Sequence, residues 1–299
     1  MSSKNNQPES TPEIPLSGGE RLLGWLFRIL PHHLISRVVF YLTRLKGPLV
    51  KPSIRWFIKT FRVDLSQAVI QDINRFATFN EFFIRALKPG SRPLASGQQV
   101  LSSPVDGTVS QCGNINQNQL FQAKGHYYSV EELVGGDPAV AGLFENGRFA
   151  TIYLAPYNYH RIHMPLAGGL QKMIHVPGRL FSVAQWTVRA IPRLFARNER
   201  VVCLFSTASG PMAMILVGAI NVAAIETVWS GLVTPPKGKK TGEFNYQKDE
   251  YKYARGDEMG RFNMGSTVIL LTTAQVEWSA QLSAGKTVQM GELIGQFKN

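Results

Sequence analysis

Gly260-Arg261-Phe262-Asn263-Met264-Gly265-Ser266-Thr267, running directly into Val268-Ile269-Leu270-Leu271, is the stretch on which the reading of this chain turns. The β-branched apolar run predicts a buried strand, and glycine and serine at its mouth are ordinary turn residues. A hydroxyl directly after glycine at the entrance of such a strand also has a chemical reading. Gly265 has no Cβ, so its carbonyl carbon is open to attack and its backbone tolerates strained dihedral angles. Ser266 Oγ lies one residue away and can reach that carbonyl in an N→O acyl shift. Gly-Ser-Thr alone does not decide between the two readings; residues far upstream do.

The chain upstream is β-like from Pro93 onward. Short apolar or alternating runs cover Gly107–Cys112, Phe149–Leu154, Met173–Val176, Val201–Ser206, Ala213–Val217, Val222–Val228, Ser266–Leu271 and Val276–Ala280, with Gly, Pro and Asn between them. A helical interlude fits Ser182–Phe195, and Pro235–Lys252 reads as a polar, basic loop. Near the end, Ala284–Gly295 predicts a hairpin of barrel-sandwich type, with the strand over Pro104–Val109 as its pairing partner. Lys286 does not sit where carrier domains of that type attach a cofactor, so the segment reads as architecture.

The N-terminal part has another character. Residues 1–18 are polar and rich in Pro, Ser and Asn, which predicts a disordered tail and no signal peptide. Glu20 to Arg62 holds nine Lys/Arg and one acid, a net +8 of the chain's +12. Apolar residues there recur at helical spacing in three groups: Leu22, Leu23, Leu26, Phe27 and Leu30; Leu34, Ile35, Val38, Val39, Leu42 and Leu45; and Ile54, Phe57, Ile58 and Phe61. Pro31, Pro48 and Pro52 separate them into short helices. Basic amphipathic helices with aromatic residues suit an anionic bilayer surface, where Trp25, Arg28, Arg37, Arg44, Trp56 and Lys59 are the expected contacts. A helical cap on the protein's own core is the competing reading. A further short helix is predicted around Thr78–Arg85, with capping-box spacing between Thr78 and Glu81.

Together these patterns predict an α+β protein: a tail over 1–18, a basic amphipathic membrane-associating helical region over 19–64, and a β-rich sandwich or barrel-like catalytic domain over 65–299. The chain's 299 residues, 44% apolar and 17% charged, suffice for a large core. No segment is long and apolar enough to cross a membrane, Pro211–Ile225 being too short. Cys112 and Cys203 stand far apart without metal or redox spacing, which predicts a reducing compartment. Nucleic acid is not expected: the basic residues alternate with wide apolar faces, and no RRM, KH or zinc pattern appears.

Three residues could join Ser266 in chemistry. Asp106 sits at a Pro/Gly-flanked turn, and His160 and His163 lie in Tyr159-His160-Arg161-Ile162-His163-Met164-Pro165. Two histidines three apart lack a third ligand of suitable spacing, so no metal is expected. In an extended segment they point to opposite faces, which gives them separate tasks. His32, His33, His126 and His175 read as structural. Asp106, His163 and Ser266 form a possible acid–base–nucleophile set: His163 deprotonates Ser266, and Asp106 fixes the imidazole. There is no Gly-x-Ser-x-Gly elbow, and Gly238-Lys239-Lys240-Thr241 lacks the first glycine of a P-loop, which would fall at Val233.

Phe79-Asn80-Glu81-Phe82-Phe83, Pro104-Val105-Asp106-Gly107, the two-histidine segment, Phe195-Ala196-Arg197-Asn198-Glu199-Arg200 and Gly265-Ser266-Thr267 all agree with one family. From about Leu65 onward the chain resembles the bacterial phosphatidylserine decarboxylases, the pyruvoyl-dependent, membrane-associated type. Met264 departs from the leucine of the family's Leu-Gly-Ser-Thr motif, a near-isosteric exchange.

The resemblance implies self-cleavage between Gly265 and Ser266, aided by Asp106 and His163. Ser266 attacks the Gly265 carbonyl, the ester eliminates, and a pyruvoyl group is left at position 266 as the cofactor, without metal. That group would form a Schiff base with the amine of phosphatidylserine and release CO2 and phosphatidylethanolamine. His160 would move the proton in decarboxylation. The partners implied are phosphatidylserine, an anionic membrane surface on the cytoplasmic face of the bacterial inner membrane, and the protein's own two chains as a heterodimer, with a higher oligomer open. Two rivals remain at this level: a membrane-associated serine hydrolase using Asp106, His163 and Ser266 on an intact chain, and a non-catalytic lipid-binding β-sandwich.

Overall fold

A computed structural model describes residues 30–97, 99–123, 125–220, 224–235 and 240–297. Its centre is the strand Ser266–Thr272, whose seven residues are all buried. Arg148–Leu154 pairs with it on one side and Gly210–Val217 on the other, both antiparallel. The run Val268–Leu271 is thus apolar throughout because it has neighbours at both edges and packing on both faces. The sheet continues outward through Gly107–Asn114 and Thr287–Val288 on the first side. On the second it continues through Arg200–Thr207, Gly168–Val176 and Gly242–Asn245.

Lys252–Tyr253 also pairs with Gly168–Val176, and among the described residues there are three smaller sheets: Val100–Ser102, Leu293–Phe297 and Val276–Trp278; Gly231–Leu232, Ile225–Thr227, Glu258–Phe262 and Arg161–His163; and the hairpin of Gln119–Ala123 with His126–Ser129. Helix Gln185–Ala190 falls in the expected interlude, and helix Leu194–Arg197 starts at its end and runs past Phe195. The chain is therefore α+β, with sheets dominating.

Two sequence expectations need correction. Ala284–Gly295 does not close as a hairpin on itself. Thr287–Val288 joins the large sheet beside Gly107 and Thr108, whereas Leu293–Phe297 joins the three-stranded sheet. The turn between them is held from outside, by Met290 N–H on Asp106 and Gly291 N–H on the Ser103 carbonyl. Pro235–Lys252 is not loop throughout. Gly242–Asn245 adds an edge strand to Gly168–Val176, and its exposed residues hid it among polar ones.

The helical region builds a second core. Helix Val50–Phe61 buries Val50, Ile54 and Phe57 against Val63, Phe76, Phe82 and Phe83. Pro52 lies inside this helix rather than before it, tolerated because first-turn N–H groups have no intrahelical acceptor. Thr78 caps the short helix Phe79–Phe83 by accepting from Glu81 N–H, while Glu81 accepts from Ala77 N–H. Met264 packs against this same core, so the helices reach the residue before Gly265.

Helix His32–Leu42 is turned the other way. Its buried residues are His32 and Ser36, while Leu34, Val38, Tyr41 and Leu42 are exposed. The first of the three expected helices lies outside the described residues.

Candidate active site

The strand register decides where the Gly-Ser junction sits. Ser266 is opposite Leu154 at the start of the central strand and is 0% exposed. Its Oγ has no hydrogen-bond partner among the described residues. A buried hydroxyl without a partner is costly, so its retention asks for a chemical reason. Upstream the chain is anchored: Asn263 N–H and its side-chain amide both donate to the Ala224 carbonyl, and Phe262 N–H donates to the His160 carbonyl.

That anchor brings His160 to the junction. A Cβ built on Gly265 would lie 3.8 Å from His160 Nε2. His160 is wholly buried, its ring 4.2 Å from that of Phe83 between centroids. Nδ1 lies 2.8 Å from the Asn158 carbonyl oxygen, which can only accept, so the proton is on Nδ1 and Nε2 carries a lone pair. Nε2 is a second buried atom without a partner. Burial pushes the His160 pKa down to about 3, the Asn158 carbonyl opposing this and the nearby Arg85 charge adding to it. His160 is therefore neutral at any ordinary pH.

His163 faces elsewhere. Its Nδ1–H donates to the Gly256 carbonyl (2.8 Å), and its Nε2 accepts from the Tyr159 hydroxyl (3.0 Å). Burial lowers its pKa; the hydrogen bond to Gly256 and the charges of Glu258 and Asp106 oppose this. Strand Arg161–His163 pairs with Glu258–Phe262, and the register shift between Glu258 and Gly260 lies opposite the histidine segment.

Asp106 is gripped by a residue that the sequence reading passed over. Arg92 donates to it through Nε (2.8 Å) and Nη2, and Met290 N–H adds a third bond at 2.8 Å. Gly107 follows it because the neighbouring strand runs too close for a side chain: a Cβ there would lie 2.5 Å from the Tyr153 carbonyl oxygen. Asp106 acts on His163 through its charge, while its hydrogen bonds go to Arg92 and Met290. Nothing local in Ser91-Arg92-Pro93 signalled this pairing. Phe83 and Tyr159 were visible only as motif members.

Of the residues expected at a membrane, Trp25 and Arg28 lie outside the described residues. Arg37, Trp56 and Lys59 are exposed, and Arg44 is half-buried over the Phe40 ring. Among the described residues no three His, Cys, Asp or Glu side chains form a metal-holding group. No helix among them is long and apolar enough to cross a membrane.

Comparison with known proteins gives this geometry a family. The family model described as phosphatidylserine decarboxylase matches residues 79–296, and one described as PSD matches residues 22–62. The phosphatidylserine decarboxylase proenzyme of Alkalilimnicola ehrlichii is 52% identical over 92% of this chain and 98% of its own. That of Ectopseudomonas mendocina is 52% identical over 89% of this chain and 95% of its own. That of Pseudomonas putida is 51% identical over 90% and 95%. With its motifs in order along the fold and a match covering most of its length, the chain belongs to the phosphatidylserine decarboxylase family.

Proposed function

We propose that this chain is a self-processing lyase that decarboxylates phosphatidylserine to phosphatidylethanolamine at a membrane surface, as its family membership supports. The observation that carries the chemistry is the approach of His160 Nε2 to Gly265, 3.8 Å from where a Cβ there would stand, with this nitrogen and Ser266 Oγ both among the buried atoms that lack a partner in the described residues. Ser266 Oγ attacks the Gly265 carbonyl, the C–N bond breaks in favour of an ester, and elimination frees the upstream chain at Gly265. The junction suits a pyruvoyl group made from Ser266, since its hydroxyl has no partner among the described residues and a Cβ at Gly265 would lie 3.5 Å from the Leu154 carbonyl oxygen and 3.8 Å from His160 Nε2. Such a group supplies a carbonyl that condenses with the substrate amine and takes up the electron pair released with CO2.

We assign the self-cleavage to Asp106, His163 and Ser266, with His163 the base and Asp106 stabilising its charged form. In that role His163 Nε2 must release the Tyr159 hydroxyl that it accepts from. His160, held neutral with Nε2 bare, suits proton delivery during decarboxylation. One observation favours a second reading of the cleavage base: the lone pair beside Gly265 is that of His160. His163→Ala and His160→Ala separate the two in an intact-mass spectrum. An uncleaved His163→Ala with a cleaved His160→Ala supports the first; the reverse supports the second.

The lipid-surface assignment is supported by the exposed apolar residues of His32–Leu42 and by Leu45, Leu49, Trp56 and Val69, which are exposed as well. Basic Arg37 and Lys59 lie exposed on the same helices and suit anionic headgroups, as at the cytoplasmic face of a bacterial inner membrane. The deciding experiment is an intact-mass spectrum of purified protein. A small chain beginning at position 266 and lighter than a serine-started fragment by one ammonia supports a pyruvoyl enzyme. An active but unbroken chain supports a serine hydrolase instead.

A further inference from the structure

A cleft of about 260 Å3 is lined by Arg62, Asp64, Arg85, Arg92, Asp106 and Asn158 among others. Three guanidinium groups here face two carboxylates, and both carboxylates are engaged. Asp106 holds Arg92 and Met290 N–H. Asp64 accepts from Ser66 through its N–H (2.7 Å) and hydroxyl (2.8 Å). Arg62, exposed in a left-handed conformation at the end of helix Val50–Phe61, forms no ion pair among the described residues.

Arg85 is the unusual member. It is only 6% exposed, yet among the described residues its guanidinium donates to a neutral group, from Nη2 to the Tyr157 carbonyl (3.1 Å). Its Nε is buried without a partner. Burial pulls its pKa down to about 10, with Asp106 and Asp64 opposing at longer range, so it stays charged at neutral pH. A buried guanidinium normally finds a carboxylate or phosphate that fits its planar fork. Among the described residues this one has neither within bonding distance, and it lines a cleft.

We propose that this cleft is a phosphate-binding pocket with Arg85 as its principal ligand and Arg62 at its rim. The inference rests on the decarboxylase reading only for the source of the phosphate: the phosphodiester of the lipid headgroup, or free phosphate. Position supports the headgroup. Asn158 lines the cleft, and its carbonyl fixes His160, whose other nitrogen faces Gly265. Helix Val50–Phe61, which carries exposed Trp56, ends at Arg62 on the cleft's edge. A phosphodiester is the better fit than the substrate's carboxylate, because a carboxylate held by a guanidinium in the ground state resists leaving as CO2.

The test is calorimetric titration of the full chain with inorganic phosphate and, separately, with glycerophosphoserine, alongside steady-state kinetics on phosphatidylserine in mixed micelles. Phosphate should bind the parent protein, with affinity falling roughly tenfold or more in Arg85→Met and severalfold in Arg62→Met. Arg62→Met is the second variant because its exposed site is no obstacle to folding. If glycerophosphoserine displaces phosphate and both variants raise KM more than they lower kcat, the pocket holds the lipid headgroup. If phosphate binds through Arg85 but glycerophosphoserine does not displace it, the pocket takes the free anion. Binding of neither probe by an active parent protein, or equal binding by parent and both variants, overturns the proposal. A parent that binds phosphate through Arg85 but forms no phosphatidylethanolamine would leave the pocket standing and remove the decarboxylase reading.

Discussion

At the scale of single residues, the proposed cleavage would draw on a hydroxyl whose burial opposes folding. Ser266 Oγ is buried without a partner, a condition that costs about 1–3 kcal/mol relative to a satisfied or apolar group. Ser266→Ala should therefore yield one unbroken chain by mass spectrometry, and a denaturant midpoint equal to or above that of the uncleaved parent. A marked loss of stability would mean that the hydroxyl has a structural partner. His160 adds a pH dependence of defined sign. The unfolded ring takes up a proton near pH 6.5, whereas in the fold it resists protonation down to about pH 3. Between those values the unfolded state binds the extra proton, so stability present above pH 6.5 is lost as pH falls, by at most about 1.4 kcal/mol per unit. His163, also depressed by burial, acts in the same direction. Unfolding midpoints measured from neutral pH downward should fall through this window, and His160→Gln should flatten the fall; identical slopes for the two proteins would show that His160 does not control it.

Single elements carry two further expectations. Strand Ser266–Thr272 has both edges paired and every residue buried, so Leu270→Ala should lose about 2–5 kcal/mol in a urea titration. A loss under about 1 kcal/mol would mean that the site collapses around the missing atoms. Helix His32–Leu42 should respond in the opposite manner. Leu34 and Val38 are exposed, so Leu34→Glu with Val38→Glu should change stability by no more than about 0.5 kcal/mol per substitution. The same pair should sharply reduce co-sedimentation with anionic vesicles. Unchanged vesicle binding would take this face out of the membrane contact. The helix shows why hydrophobic periodicity alone did not choose between cap and membrane surface. It reports an apolar stripe and not the direction in which the stripe points.

For the whole molecule, the position of the cut matters most. The segment after Gly265 supplies the central strand of the large sheet, the edge strand Thr287–Val288 and two strands of the three-stranded sheet. Cleavage at Gly265 would break one covalent bond while leaving those pairings in place. The two chains of the proposed heterodimer should elute together in native buffer and separate only in denaturant; a small chain lost on native gel filtration would contradict this topology. The same argument ties the helical region to the site. Helix Val50–Phe61, the Phe79–Phe83 helix and Met264 share one core, and Phe83 lies on His160. Under the proposed function, contact of the helical region with a membrane would be coupled by this packing to the residues around Gly265.

The sequence by itself determined the main strands and placed the Gly265–Ser266 junction at the mouth of one of them. Val201–Ser206, Ala213–Val217 and Ser266–Leu271 were legible because apolar runs and turn residues are local signals, and the structure extends each by only a residue or a few. The edge strand Gly242–Asn245 was not legible, because an exposed strand lacks that apolar signature. Only the tertiary structure decided which polar groups meet. Asp106 binds Arg92 and a backbone N–H 184 residues away, His163 is held by Tyr159 and Gly256, and His160 turns its lone pair to Gly265. Strand propensity is written in a few consecutive residues. A hydrogen-bond partner brought from a distant strand depends on sheet order and register, which no local pattern encodes.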